Sequence, residues 1–146
     1  MRIAVLNGPN LNLLGTREPA LYGSTTLREI EARLRDVARE LRVEIECAQH
    51  NGEGALVDAI QALRGRADAA IINAGAYSHT SLAIRDAFAA VEVPFVEVHL
   101  TNIFAREPER RHSALAPGAR AVLCGFGAVG YELALRGLAA TLTSRG

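Results

Sequence analysis

The sequence predicts an α/β domain: a three-layer sandwich in which helices cover both faces of a five-stranded parallel sheet. Two observations predict it. Five short apolar runs alternate with stretches of helical spacing, the pattern of parallel strands joined by crossover helices. The chain has 146 residues, enough for one domain with a proper apolar core, and it shows no internal repeat, linker or low-complexity segment.

Each element follows from its residues. The first strand is RIAVLN, residues 2–7. The next regular segment, TTLREIEARLRDVAREL, places Leu27, Ile30, Leu34, Val37, Ala38 and Leu41 on one helical face. Thr26 and Glu29 form a capping box at its start. VEIECAQ (43–49) reads as a strand and EGALVDAIQALRG (53–65) as a helix ended by Gly65. AAIIN (69–73) is a strand, and TSLAIRDAFAAV (80–91) is a helix that stops before Pro94. PFVEVH (94–99) and RAVLCG (120–125) are the last two strands, and AVGYELALRGLAATL (128–142) is the closing helix. For a chain of this length the natural arrangement is the flavodoxin-like order 2-1-3-4-5, with ligands bound beyond the carboxyl ends of the strands.

Bulk composition mainly excludes. Net charge is zero, so no bulk field draws the chain to nucleic acid or membrane. No apolar run approaches a membrane span, and MRIAVLNG is shorter than a signal peptide, so a cytoplasmic location is expected. Cys47 and Cys124 fall in strand-like runs and read as buried free thiols. All 16 basic residues are Arg. Without Lys, neither a side-chain Schiff base nor a P-loop lysine is available.

The strand ends carry Asn7-Gly8, Gln49-His50-Asn51, Asn73 and His99. The two long loops, 8–25 and 100–119, flank the same crevice and bring Arg17, Tyr22, Arg106, Arg110 and Arg111. Connections of that length are usually functional. Together they form an anion-binding mouth with a phenol in it. Glu97 and His99 are two apart on a strand and so share a face. A carboxylate in an apolar strand needs a partner, and the imidazole is the obvious one. A guanidinium near Tyr22 would favour tyrosinate, which would make this phenol a base without amine or metal. Surface packing for Tyr22, and a structural Glu–His pair at the sheet rim, are the plainer alternatives.

Other motifs fail on context. GFGAVG (125–130) has the spacing of a dinucleotide loop, but 16 residues after Gly130 leave no room for the following strand and its acidic residue. The four His are scattered and set no metal-binding spacing, and no G-x-S-x-G elbow is present. Neither a metal nor a cofactor is expected.

LNGPNLNLLGTREPALYG, INAGAYSHTSLAIRDA and EVHLTNIFAREPERRHS, with QHNGEGALVD between the first two, run in register along nearly the whole chain. In these segments the chain resembles the type II 3-dehydroquinate dehydratases (3-dehydroquinases) of the shikimate pathway. The resemblance implies a flavodoxin-like fold, a homododecamer built as a tetramer of trimers, and cofactor-free anti elimination of water from 3-dehydroquinate through an enolate. By match to the family motifs, Tyr22 is the base and Arg17 the neighbour favouring its ionised form. Asn10 would hold a water on the enolate oxygen, and His99, oriented by Glu97, would protonate the departing hydroxyl. Asn73, His79 and Arg110 would hold ring hydroxyls. Leu100 and Thr101 would bind the substrate carboxylate through backbone N–H groups and the Thr101 hydroxyl. Asp86 matches a residue that reaches a neighbouring subunit's site, and Arg106 an arginine on the lid side. Thr101 stands where Ser is frequent, and Phe104, the Glu-Pro-Glu run at 107–109 and Gly52 also depart from the usual pattern. A flavodoxin-like binding or signalling module, or a different enolising lyase acting on a hydroxy-keto acid, are the competing readings.

Overall fold

The computed structural model describes residues 1–143. Strands β1 (Arg2–Asn7), β2 (Glu44–Gln49), β3 (Ala69–Asn73), β4 (Phe95–His99) and β5 (Ala121–Cys124) form one parallel sheet in the order β2-β1-β3-β4-β5. This is the flavodoxin-like order expected from the alternation. Every residue of β3 and β4 is buried, including Glu97. The edge strands β2 and β5 are half-covered, with Ala121 and Val122 exposed.

Helices α2 (Leu27–Leu41) and α5 (Val129–Thr143) pack on one face of the sheet, and α3 (Glu53–Gln61) and α4 (Leu82–Val91) on the other. The apolar stripe of α2 buries Ile30, Leu34, Val37 and Ala38 against Ile3 and Val5 of β1. Across the sheet, Ile60, Ile84 and Phe88 close over Leu6 and Ile72. Each of these larger apolar side chains, Ala38 aside, contributes on the order of 1.5–3 kcal/mol through burial. The capping expectation at α2 holds. Thr26 Oγ1 accepts the Glu29 N–H at 3.1 Å and lies 3.2 Å from the Glu29 carboxylate. At the start of α4, Ser81 accepts the Ile84 N–H at 3.0 Å in the same way.

Several expectations need correction. The helix expected over 53–65 ends at Gln61, and Gly65 (φ +71°) belongs to the turn beyond it. β4 starts at Phe95 rather than Pro94, whose carbonyl instead accepts the Ala70 N–H at 2.9 Å. The cysteines are free as expected, but both are half-buried rather than buried because they lie on edge strands. Burial still pushes the Cys47 thiol up to about 11, with a smaller push from Glu31.

The long loops are less irregular than their composition suggests. The first holds a 3-10 turn at Leu11–Leu13 and a single helical turn, α1 (Pro19–Tyr22). The second holds three 3-10 turns, at Ile103–Ala105, Pro108–Arg110 and Ala116–Gly118. Pro at the first position of α1 and of the 108–110 turn suits helical φ and sacrifices no hydrogen bond. At the start of the first loop, a Cβ on Gly8 would stand 2.4 Å from the Ala74 carbonyl oxygen. Only glycine lets the segments leaving β1 and β3 pass this closely.

Candidate active site

The carboxyl ends of β1, β3 and β4 open into a cavity of about 150 Å³. Its walls include Asn10, Arg17, Tyr22, Asn73, His79, His99, Leu100, Thr101, Arg106 and Arg110. A larger groove of about 360 Å³ runs between the β2 edge and α3. It is walled mainly by Ala, Ile and Leu with Arg2, Arg66, Glu44 and Glu46, and it contains no His, Tyr, Ser or Cys. The chemistry-bearing side chains therefore gather in the smaller space.

One side of that space is basic. Arg106 Nη1 donates to the Tyr22 hydroxyl oxygen at 3.0 Å. The guanidinium carbons of Arg17 and Arg106 lie 5.1 and 5.4 Å from the Tyr22 ring centroid, within cation–π range. The phenol is thus held between two cations from different loops. Tyr22 is the last residue of α1, and Gly23 (φ +82°) ends that turn. The Arg106 backbone is fixed in turn, because Arg111 Nε donates to its carbonyl at 2.6 Å. Arg110 pairs with Glu107.

The same space holds an imidazole cluster. His99 Nε2 faces Glu97 Oε2 at 3.6 Å, within ion-pair distance but too long for a hydrogen bond. Ser113 Oγ donates to the other Glu97 oxygen at 2.5 Å. The His79 and His99 rings stack with centroids 5.9 Å apart, and His79 Nδ1 donates to the His112 carbonyl at 2.7 Å. Burial lowers the pKa of His79, and the His112 carbonyl only partly opposes that shift. His79 is therefore a neutral imidazole at neutral pH, with Nε2 free to accept.

At the floor, polar groups form one directed chain. The Gly75 N–H donates to Asn73 Oδ1 at 3.2 Å, which fixes the amide's orientation. Asn73 Nδ2 then donates to the Tyr131 hydroxyl at 3.0 Å, and that hydroxyl donates to Asn7 Oδ1 at 2.5 Å. Tyr131 is wholly buried, and its phenol is pushed well above the usual range by desolvation. Asn10 takes a left-handed backbone (φ +69°), and its N–H donates to Asn51 Oδ1 at 3.1 Å. That contact ties the first loop to the end of β2. Among the described residues no group of three or more His, Cys, Asp or Glu is placed to hold a metal ion.

The predicted site residues therefore converge, with one exception. Tyr22, Arg17, Asn10, His99, Asn73, His79, Leu100, Thr101 and Arg110 all line the cavity, and Glu97 lies behind His99. Asp86 is exposed on α4, away from the cavity walls. Sequence reasoning missed Ser113 and Tyr131, whose contacts span 16 and 58 residues. It also gave Arg106 no definite role, although Arg106 is the residue that touches the phenol.

The chain is similar to known proteins along nearly its whole length. The family described as dehydroquinase class II matches residues 1–139. A 3-dehydroquinate dehydratase of Gemmatimonas aurantiaca is 61% identical over 142 residues, covering 97% of this chain and 93% of that protein. A catabolic 3-dehydroquinase of Verticillium alfalfae is 55% identical over 134 residues, covering 92% of this chain and 89% of that protein. The crystal structure of a type II dehydroquinase from Butyrivibrio crossotus superimposes with a TM-score of 0.92 at 40% identity, covering 94% of this chain and 97% of that one.

Proposed function

The chain belongs to the class II dehydroquinase family, hydro-lyases that dehydrate 3-dehydroquinate in the shikimate pathway, and we propose that the Tyr22 cavity carries out this elimination through an enolate. The carrying observation is the Arg106–Tyr22 hydrogen bond of 3.0 Å, with Arg17 against the same ring. The base must carry negative charge on its phenol oxygen, and two guanidinium groups stand beside that ring.

In this reading the Tyr22 phenolate takes the proton from the carbon α to the substrate ketone. The C–H electrons move onto the ketone oxygen as an enolate, which a water held by Asn10 stabilises. When the enolate collapses, the carbonyl re-forms, a C=C bond appears and the β-hydroxyl departs. His99, which faces the Glu97 side chain, gives that hydroxyl a proton, so 3-dehydroshikimate and water are the products. Asn73, His79 and Arg110 hold ring hydroxyls. The backbone of Leu100 and Thr101, with the Thr101 hydroxyl, takes the substrate carboxylate. No cofactor takes part in this scheme.

The whole chain, 1–146, acts as a single catalytic domain in a cytoplasmic homododecamer, a tetramer of trimers. Two observations favour assembly. Phe104, Phe126, Val129 and Leu82 are each more than half exposed, apolar side chains that a neighbouring copy would cover. Asp86 lies exposed on α4, free to reach a neighbouring copy's site.

The direct test incubates the protein with 3-dehydroquinate and follows the absorbance of the conjugated product. Wild type should turn over, and borohydride with substrate should leave activity intact because the chain has no Lys. Tyr22→Phe should lower kcat by about 10²–10⁴-fold, the usual weight of a general base, while substrate still binds. Wild-type turnover in that variant would remove the base from the scheme.

A further inference from the structure

The segment 112–116 behaves as a strap behind both imidazoles. The His112 carbonyl takes the His79 Nδ1 proton at 2.7 Å, and the Ala114 N–H donates to the Ser78 carbonyl at 2.7 Å. Between them, Ser113 reaches Glu97 at 2.5 Å. The direction of that last bond is settled by its neighbours. The N–H groups of Leu115 and Ala116 donate to Ser113 Oγ at 3.2 and 3.0 Å. They occupy the hydroxyl's acceptor side, so its one proton is aimed at Glu97 Oε1.

Glu97 needs that proton. It is wholly buried, and a buried carboxylate without donors is costly. Its Oε2, like His99 Nε2, has no hydrogen-bond partner among the described residues, and the two face each other at 3.6 Å. The Ser113 bond is thus what holds the carboxylate in the rotamer that presents Oε2 to the ring.

We propose that Ser113 is a positioning residue for the elimination: its hydroxyl fixes the Glu97 carboxylate, which in turn orients His99 toward the leaving hydroxyl. This rests on the reading of Glu97 and His99 as the acid pair. A serine that merely closed the 113–116 turn would affect folding and leave the catalytic step unchanged. A positioning serine slows the step and leaves substrate binding nearly intact.

A double-mutant cycle separates these roles. kcat and KM are measured for wild type, Ser113→Ala, Glu97→Gln and the pair, with Ser113→Thr as the conservative variant. Thermal unfolding is followed on each, and Ser113→Cys replaces the alanine variant if that one fails to fold. Ser113→Ala should lower kcat about 10-fold, as loss of a hydrogen bond to a charged group does, with KM within about twofold. In the Glu97→Gln background the same change should alter kcat by less than about twofold, because the oriented charge is already gone. Ser113→Thr should restore most of the rate. An equal kcat loss in both backgrounds, or none in wild type, would overturn the proposal for Ser113 and leave the acid pair standing. If Glu97→Gln alone left kcat unchanged, the acid pair itself would fall, and the role of Ser113 with it.

Discussion

Asn73, at the carboxyl end of the central strand β3, donates its side-chain amide to the buried hydroxyl of Tyr131 on α5, 58 residues away, at 3.0 Å. The hydroxyl passes its own proton to Asn7 on β1. A helix on one face of the sheet thereby sets how two adjacent strand ends present themselves to the cavity. The chain has one direction, because the Gly75 N–H can only donate.

Tyr131→Phe removes the middle of this chain and takes the partner from Asn73 Nδ2 and from Asn7 Oδ1, two groups at buried side chains. The expected cost is about 1–3 kcal/mol of stability per group left without a partner, read as a lower urea midpoint at unchanged slope. KM should rise more than kcat falls, since Asn73 keeps only its Gly75 anchor while Tyr22 and His99 are untouched.

The two arginines against Tyr22 should differ in weight. Removing either takes a guanidinium from beside the base and should lower kcat. Arg106→Ala should lower it further than Arg17→Ala, because Arg106 hydrogen-bonds the oxygen while Arg17 lies against the ring. kcat of both variants against wild type would check the order, and a larger loss from Arg17→Ala would reverse the assignment.

His79 makes a pH prediction for stability. Burial lowers its folded-state pKa below the ordinary value near 6.5. Between the lowered and the ordinary value, the unfolded chain binds more protons than the folded one, so stability rises with pH in that window. Its contribution is therefore intact above about pH 6.5 and declines as pH falls below it. Urea midpoints between pH 5 and pH 8 should show the decline, and His79→Asn should flatten it.

Gly8→Ala should be among the most damaging conservative changes in the chain. The added methyl would meet backbone at 2.4 Å rather than a side chain that could rotate away. Overpacking of this kind typically costs about 1–3 kcal/mol, and relief would require moving the first loop, which carries Asn10, Arg17 and Tyr22. A lowered melting temperature together with a disproportionate loss of kcat is the expected result.

What was legible in the sequence depended on how locally it was determined. The fully buried strands β3 and β4 were found to within a residue, because AAIIN and FVEVH are apolar runs bounded by turn residues. The cap at Thr26 is equally local, whereas the one at Ser81 was not read from the sequence. Strand periodicity puts Glu97 and His99 on one face, and the cost of a carboxylate in an apolar strand points to the imidazole as its partner. Ser113 and Tyr131 carried no such signal: one follows Arg-Arg-His in a loop, and the other reads as an ordinary apolar position of a helix. Their partners are brought to them by the sheet order, which no window of residues contains. Arg106 was visible as charge in the mouth, but its contact with Tyr22 depends on how two loops fold against each other. The cysteines were placed too deep because an apolar strand at a sheet edge looks the same in sequence as one in the middle.

The contact between Arg106 and Tyr22 bridges 84 residues and joins two segments that are otherwise built of single turns. Warming should loosen those turns well before the sheet melts. Catalytic power should then fade at temperatures where circular dichroism still reports an intact protein, so a heat-inactivation curve would track the meeting of two loops and would say little about the core.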